Sequence, residues 1–524
     1  MLKRLALLAI GVAVLTGTAM AQDAKTTIAN AQKALGDVKA ITYSGSAKDV
    51  SFQQCGANKA DMTCRGTHDP MRPIDNYVRA IDLSAPASRA TGVTNNIGAG
   101  GSTTVAPGAF SQQISAQQAD VSSPWNNSLE LYLTPWGFLK GAAENNATAR
   151  RQGGSTVLTW SPKVTAPSGK PYTINGYVNS QNLVERVETW LGENIMGDMH
   201  ILATYTGWKD FGGGAMAPSK IVQTRGGWPF FEVNVTAARA NPADLATLAV
   251  PPARGGGPGG GAPPAGGAAR AGGAPAAGRA ARAGGAPGAG RGGPGGPGGG
   301  APAPPTVTAE KLGDGLYRFT TGGGSYDSLV IEFRDHIMML EAGPAEPTML
   351  AYIAEAKKMI PNKPIRFVMN THPHSDHTRG LPTMVAEGAT IIAHRNSEAF
   401  FERALNTPRT LLTDTLAKNP KKARVETVGD KKVYSDGNRV VEIYHVPSAP
   451  HSNGLLIAYI PKEKVLFQGD FSLPGKPGEP ANDHVKALGT DLKKLNLNFD
   501  RYINVHASAT PQTSKDFWDA LAVK

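Results

Sequence analysis

Cysteine is scarce in this chain, long apolar runs are missing beyond the first 21 residues, and one long central stretch has no acidic residue. The only two cysteines are Cys55 and Cys64. Both lie far in sequence from the histidine-rich stretch near residue 375, so no thiolate ligand is expected there. Eight residues separate them. An oxidising compartment would favour a local disulfide between them, and two free buried thiols are the alternative. The lack of any later apolar run near the ~20 residues of a membrane helix excludes a transmembrane segment from the sequence reading. The formal charge of +11 is no sign of a polyanion partner. Lys3 and Arg4 belong to a leader, and Arg254, Arg270, Arg279, Arg282 and Arg291 to the stretch without acids, so little surplus remains elsewhere.

What is present starts with residues 1–21: Lys3 and Arg4, an apolar run from Leu5 to Leu15, then Ala19-Met20-Ala21. That order predicts a cleaved secretory signal, with the mature protein starting near Gln22 in the periplasm or outside the cell. From Pro251 to Pro305 the chain is almost wholly Gly, Ala, Pro and Arg. Such a mixture cannot bury a core and is expected to be a disordered linker. It divides a region of unknown role, residues 22–250, from a second folded region, residues 306–524, and the two are expected to be independent.

The first region predicts a mainly antiparallel β domain. Ile28, Ala31 and Leu35 share a helix face that Gly36 can close, and Ile41–Val50 reads as a strand. Ala85–Ser123, rich in Ser, Ala, Gly and Gln, reads as a long or partly disordered loop, and Leu129–Ala143 as a helix or buried turn. From Tyr172 to Val235, short β-branched and aromatic runs alternate with turn residues, the pattern of a meander. Its strands loosely resemble the half-barrel of periplasmic lipoprotein carriers, without a shared motif.

Thr371 to Gly380 carries the chemistry. It places His372, His374, Asp376 and His377 within six positions, directly after the apolar strand-like run Ile365–Asn370. In extended chain, residues i and i+2 point the same way, so His372 and His374 can grip one cation together. Asp376 and His377 fall where a helix can start and point elsewhere, which suits a second cation ~3.5–4 Å away. Around this stretch, strand-like and helix-like runs mix from Leu316 onwards, as in two mixed sheets packed face to face under outer helices.

Taken with three downstream positions, residues 306–524 resemble the metallo-β-lactamase superfamily, an α/β fold built as an αβ/βα sandwich with metals at the edge between its sheets. His372, His374, Asp376 and His377 match its HxHxDH motif. His451 stands where the family shows His-Thr-x-Gly, Asp470 matches the Gly-Asp after a later hairpin, and His506 the final histidine. The resemblance assigns His372, His374 and His451 to one metal and Asp376, His377 and His506 to the other, with Asp470 bridging. There are departures. Glu341-Ala342-Gly343 stands in place of Asp-x-Gly, Arg379 replaces the first glycine after the motif, and His506 lacks its usual flanking glycine. Of the other histidines, His394 ends a strand that could turn it to the site but reads first as a hydrogen-bonded structural residue. His445 reads as either structural or a support behind a ligand, and His336 and His484 as surface residues.

Imidazole and carboxylate donors suit zinc, and two ions per chain are expected. Paired cations make hydroxide available as a nucleophile near neutral pH and polarise the attacked oxygen, with Asp376 placed to hold and move the proton. The expectation is a metal-dependent hydrolase of a small molecule: a lactone, thioester, ester or β-lactam. A zinc phosphodiesterase and a mononuclear iron dioxygenase share the fold and stay open, as does a vestigial metal domain beside a ligand-binding meander. No nucleic acid partner is implied, and nothing sets an oligomeric state.

Overall fold

The computed structural model describes residues 23–36, 38–50, 71–97, 105–114, 125–245, 305–321, 326–449, 451–476, 478–506 and 511–523. Residues 1–22, on which the secretory-signal expectation falls, Cys55, Cys64 and the body of the Pro251–Pro305 stretch lie outside these residues.

The N-terminal region is one 11-stranded sheet in which every neighbouring pair is antiparallel. Its two meanders meet where Ala40–Asp49 pairs with Trp228–Ala240. Strand Gly197–Asp210 shows why the sheet has one core face: Met199, Ile201, Ala203 and Tyr205 are buried at every second position, as a period of two requires. That face is covered by helices Trp125–Tyr132 and Pro135–Glu144, the latter capped by the Thr134 hydroxyl accepting from the Gly137 N–H. The segment read as a long loop contains two strands instead, Ala87–Ile97 and Val105–Ile114, paired along their length. Ser, Gly and Gln are poor strand formers, but pairing with Arg72–Asp82, with one register shift between Asp75 and Val78, overrides local preference.

The C-terminal region has the four layers expected. A seven-stranded sheet runs in chain order from Val307–Gly313 to Val425–Val428, and a six-stranded sheet from Lys431–Ser435 to Gln512–Thr513. Three apolar clusters define the packing. Leu329, Leu340, Met369 and Ile392 of the first sheet meet Ile443, Leu456 and Phe467 of the second. Helix Asp483–Leu495 packs Val485 and Leu488 on the outer face of the second sheet. On the outer face of the first, Met349, Tyr352 and Met384 continue into the core of the N-terminal region.

The two regions are therefore not independent, contrary to the sequence expectation. They form one compact unit. The Asp198 carboxylate accepts from the backbone N–H groups of Thr410 and Leu411 at 2.8 and 2.9 Å. Trp228 packs against Phe400, ring centres 5.4 Å apart. A Cβ on Gly197, whose φ is +62°, would meet the Pro408 carbonyl oxygen at 2.5 Å. Composition shows that a linker separates two chain segments; it does not show whether the segments dock.

Candidate metal centre

The site forms where both sheets end on the same edge. Strand Ile365–Met369 leads into the loop carrying His372 and His374, and His374 ends it in extended conformation before the short helix Ser375–Thr378 that holds Asp376 and His377. The loop is tied to the second sheet by the Leu456 N–H donating to the Thr371 carbonyl, 2.8 Å. Strand Val465–Gln468 delivers Asp470, and Arg501–Asn504 delivers His506, whose N–H donates to Asn504 Oδ1 at 2.8 Å. Gly380 is needed for closure, because a Cβ there would lie 1.7 Å from the Ala342 carbonyl oxygen.

All seven sequence-nominated side chains converge, in two groups that share one residue. His372, His374, His451 and Asp470 form the first, and Asp376, His377, Asp470 and His506 the second, with donor atoms in each group within 4.8 Å of one another. Asp470 divides its oxygens between them. Oδ2 lies 2.7 Å from His451 Nε2 and 3.6 Å from His372 Nε2; Oδ1 lies 3.0 Å from His377 Nε2 and 2.9 Å from His506 Nε2. Asp376 Oδ2 is 3.5–3.6 Å from the same two imidazoles of the second group.

These spacings fit a cation in each group. With bonds of about 2.0–2.1 Å, tetrahedral ligands lie about 3.3 Å from one another. His372 Nε2 and His451 Nε2 approach to 3.1 Å, an arrangement of two imidazole nitrogens that a shared cation explains. His377 Nε2 and Asp470 Oδ1 are buried, and neither finds a hydrogen bond of usable angle. Nitrogen and carboxylate donors without sulfur suit a borderline divalent ion.

Groups behind the donors set their orientation. Glu341 is fully buried, at φ +74°, a strained region for a non-glycine residue. Its carboxylate accepts from the Thr371 hydroxyl at 2.5 Å and from Asn370 Nδ2 at 2.9 Å, and lies 3.2 Å from His377 Nδ1. That contact directs His377 Nε2 towards Asp470. Thr371 Oγ1 does the same for His372, 3.1 Å from its Nδ1. Burial, then the neighbouring imidazoles of His377 and His374, holds His372 well below the usual histidine range, which keeps its lone pair free. Burial opposes the charge on Asp470, but His377, His451 and His372 outweigh it and pull its carboxyl well below the usual range.

Sequence reasoning missed Thr371 and Tyr326, whose ring stands edge-on to His506 and whose hydroxyl lies 3.4 Å from His377 Nδ1. A motif names ligands, whereas their supports are ordinary residue types. It also misplaced two histidines. His336 is buried and stacks on Phe333, and His484 is buried with its ring centre 4.9 Å from that of His451. Burial first, then His451, holds His484 down to about 4. His394 and His445 are structural, as expected: they stack at 4.0 Å, and His394 Nδ1 accepts from the Asn396 N–H.

Residues 321–506 match the family model of the metallo-beta-lactamase superfamily. The C-terminal part of the chain belongs to that superfamily. A relative, 2,4-dinitroanisole O-demethylase subunit alpha of Nocardioides sp. (strain JS1661), is 24% identical over 225 residues, 42% of this chain and 64% of that one. This chain thus spans a little under two thirds of that relative's length. Among solved structures, the metallo-beta-lactamase from Pontibacter korlensis aligns over 42% of this chain and 98% of its own, with TM-score 0.32 and 13% identity. The DIM-1 metallo-beta-lactamase aligns over 42% and 97%, with TM-score 0.31 and 17% identity.

Proposed function

We propose that this protein is an exported, dinuclear zinc-dependent hydrolase acting on a carbonyl substrate such as a lactone, thioester, ester or β-lactam. The observation that carries the reading is Asp470, whose two carboxylate oxygens face two separate histidine groups. Two zinc ions bound there would lower the pKa of a shared water towards neutrality and polarise the attacked oxygen. The chain's own residues do the rest. His372, His374 and His377 form a buried floor. Glu341 and Thr371 hold the rings in the tautomer that offers Nε2 to the site. Asp376 and His506, each more than a third exposed, stand at the open side, where the Asp376 carboxylate can take a proton from the attacking water and pass it to the leaving group. Export rests on the composition of residues 1–21.

The test is metal content by mass spectrometry together with turnover on chromogenic ester, lactone, thioester, β-lactam and phosphodiester substrates, with 2,4-dinitroanisole added for the relative's sake. The expected outcome is two metal equivalents per wild-type chain and hydrolysis of a carbonyl substrate. Asp470→Ala should retain one equivalent or fewer and lose turnover by well over the ~100-fold that losing a ligand's supporting hydrogen bond costs. A single tightly bound iron, or normal metal content in Asp470→Ala, rules the reading out.

A further inference from the structure

We propose that His484 is a substrate-binding residue, its ring N–H donating a hydrogen bond to a substrate oxygen held on the His451 side of the metal centre. The inference rests on the metal reading above and deepens it. His484 occupies the second position of helix Asp483–Leu495, whose start is set by the Asn482 side chain accepting from the Val485 N–H at 2.9 Å. Directly after it, Val485 is fully buried against the second sheet, which leaves the helix little freedom to turn. His484 as a residue is only 7% exposed, and its ring lies edge-on to His451, planes at 67°.

Its environment sets it apart from the other histidines described. His200, His336, His394 and His445 each have a polar partner: Glu188, Asp335, the Asn396 N–H and the Asn453 carbonyl. His372, His374, His377, His451 and His506 belong to the two convergent groups. His484 belongs to neither group, and among the described residues nothing hydrogen-bonds to its ring. A nearly buried imidazole without a partner costs free energy unless water or a ligand meets it. The adjoining side chains of His451 and Asp470 remain 18% and 17% exposed, so the cluster is open to a ligand beside His484. A neutral imidazole offers one N–H donor and one acceptor. The matching substrate feature is an acceptor oxygen, the carbonyl or carboxyl oxygen of an acyl compound.

A purely structural role, with the ring packing against His451, predicts a different outcome. Full-length protein would be loaded with cobalt, and acetate titrated while the visible spectrum is followed, for wild type, His484→Phe, His484→Ala and His484→Gln. The phenyl ring keeps the packing against His451 and removes the N–H; the glutamine amide keeps an N–H donor. The expected result is two cobalt equivalents and an unchanged starting spectrum in the Phe and Gln variants. Acetate should bind about tenfold more weakly in Phe and Ala and within about threefold of wild type in Gln. Equal acetate affinity in wild type and His484→Phe overturns the assignment while leaving the dinuclear reading intact. Metal loss in both the Phe and Gln variants also overturns it, in favour of a structural role. A wild type that takes up fewer than two equivalents defeats the dinuclear reading and this one with it.

Discussion

Each region of the molecule buries a charged cluster, and the two are satisfied in opposite ways. In the N-terminal sheet, Arg79 donates to the Tyr77 hydroxyl at 2.8 Å, to Ser88 Oγ at 3.0 Å and to the Gln112 side chain. Nearby, Glu130 accepts from Arg225 at 2.9 Å and from Gln223 at 3.0 Å. The cavity between them is about 10 Å³, room for no more than a water. Most donors there meet acceptors from the same fold, although Arg225 Nε and Gln223 Oε1 stay buried without a hydrogen bond among the described residues. In the C-terminal site, imidazole nitrogens and carboxylate oxygens converge on the same two points. Lone pairs meet there without enough protons to bridge them, and a cation is what such a cluster lacks. A buried charge is thus no sign of function by itself; an unmatched excess of one kind of partner is.

The largest expected effect tests the unmatched cluster. Stripping a bound metal with a chelator should lower the apparent unfolding free energy by about 4 kcal/mol for each site that had been held at a thousand times its Kd. Thermal denaturation with and without chelator measures it. An unchanged midpoint would mean that the C-terminal cluster is as self-sufficient as the N-terminal one. Next comes Glu130→Ala, which leaves the Arg225 guanidinium without its partner carboxylate and should cost about 3–5 kcal/mol. Metal content should stay at wild-type level, and a loss of metal would show that the clusters are coupled.

Glu341→Gln keeps the shape behind His377 but removes the charge. Metal affinity, measured by competition with a chromophoric chelator, should fall about 10–100-fold. Asp198→Ala has the smallest effect. It removes the acceptor for the Thr410 and Leu411 N–H groups and should lower stability by roughly 1–2 kcal/mol, read as a shift in urea midpoint with the metal count unchanged. No shift at all would mean that the docking of the two regions does not depend on this contact.

The site was far more legible than its surroundings. His372, His374, Asp376 and His377 sit close in sequence because one strand end and one helix start present them together, so local spacing already encodes the geometry. His451, Asp470 and His506 come from other strands, and only the family resemblance tied them to the motif. Glu341 could be read as a departure from Asp-x-Gly, but its four polar contacts and its φ of +74° could not. In the N-terminal region, the β-rich character was visible from alternation. The strands Ala87–Ile97 and Val105–Ile114 were not, since their residues are weak strand formers and the ladder comes from a partner in space.

The sequence by itself determined the local cluster His372, His374, Asp376 and His377, because ligand chemistry depends on residue type and motif spacing. The family resemblance added the fold class of residues 306–524, His451, Asp470, His506 and the division into two groups. The tertiary structure alone decided that Asp470 turns one oxygen to each group. It alone placed His484 beside His451 without a hydrogen-bond partner among the described residues, and docked the two regions through Asp198 and Gly197. Those outcomes depend on where separate strands and helices end relative to one another. That is settled by packing among residues distant in sequence, which no local pattern records.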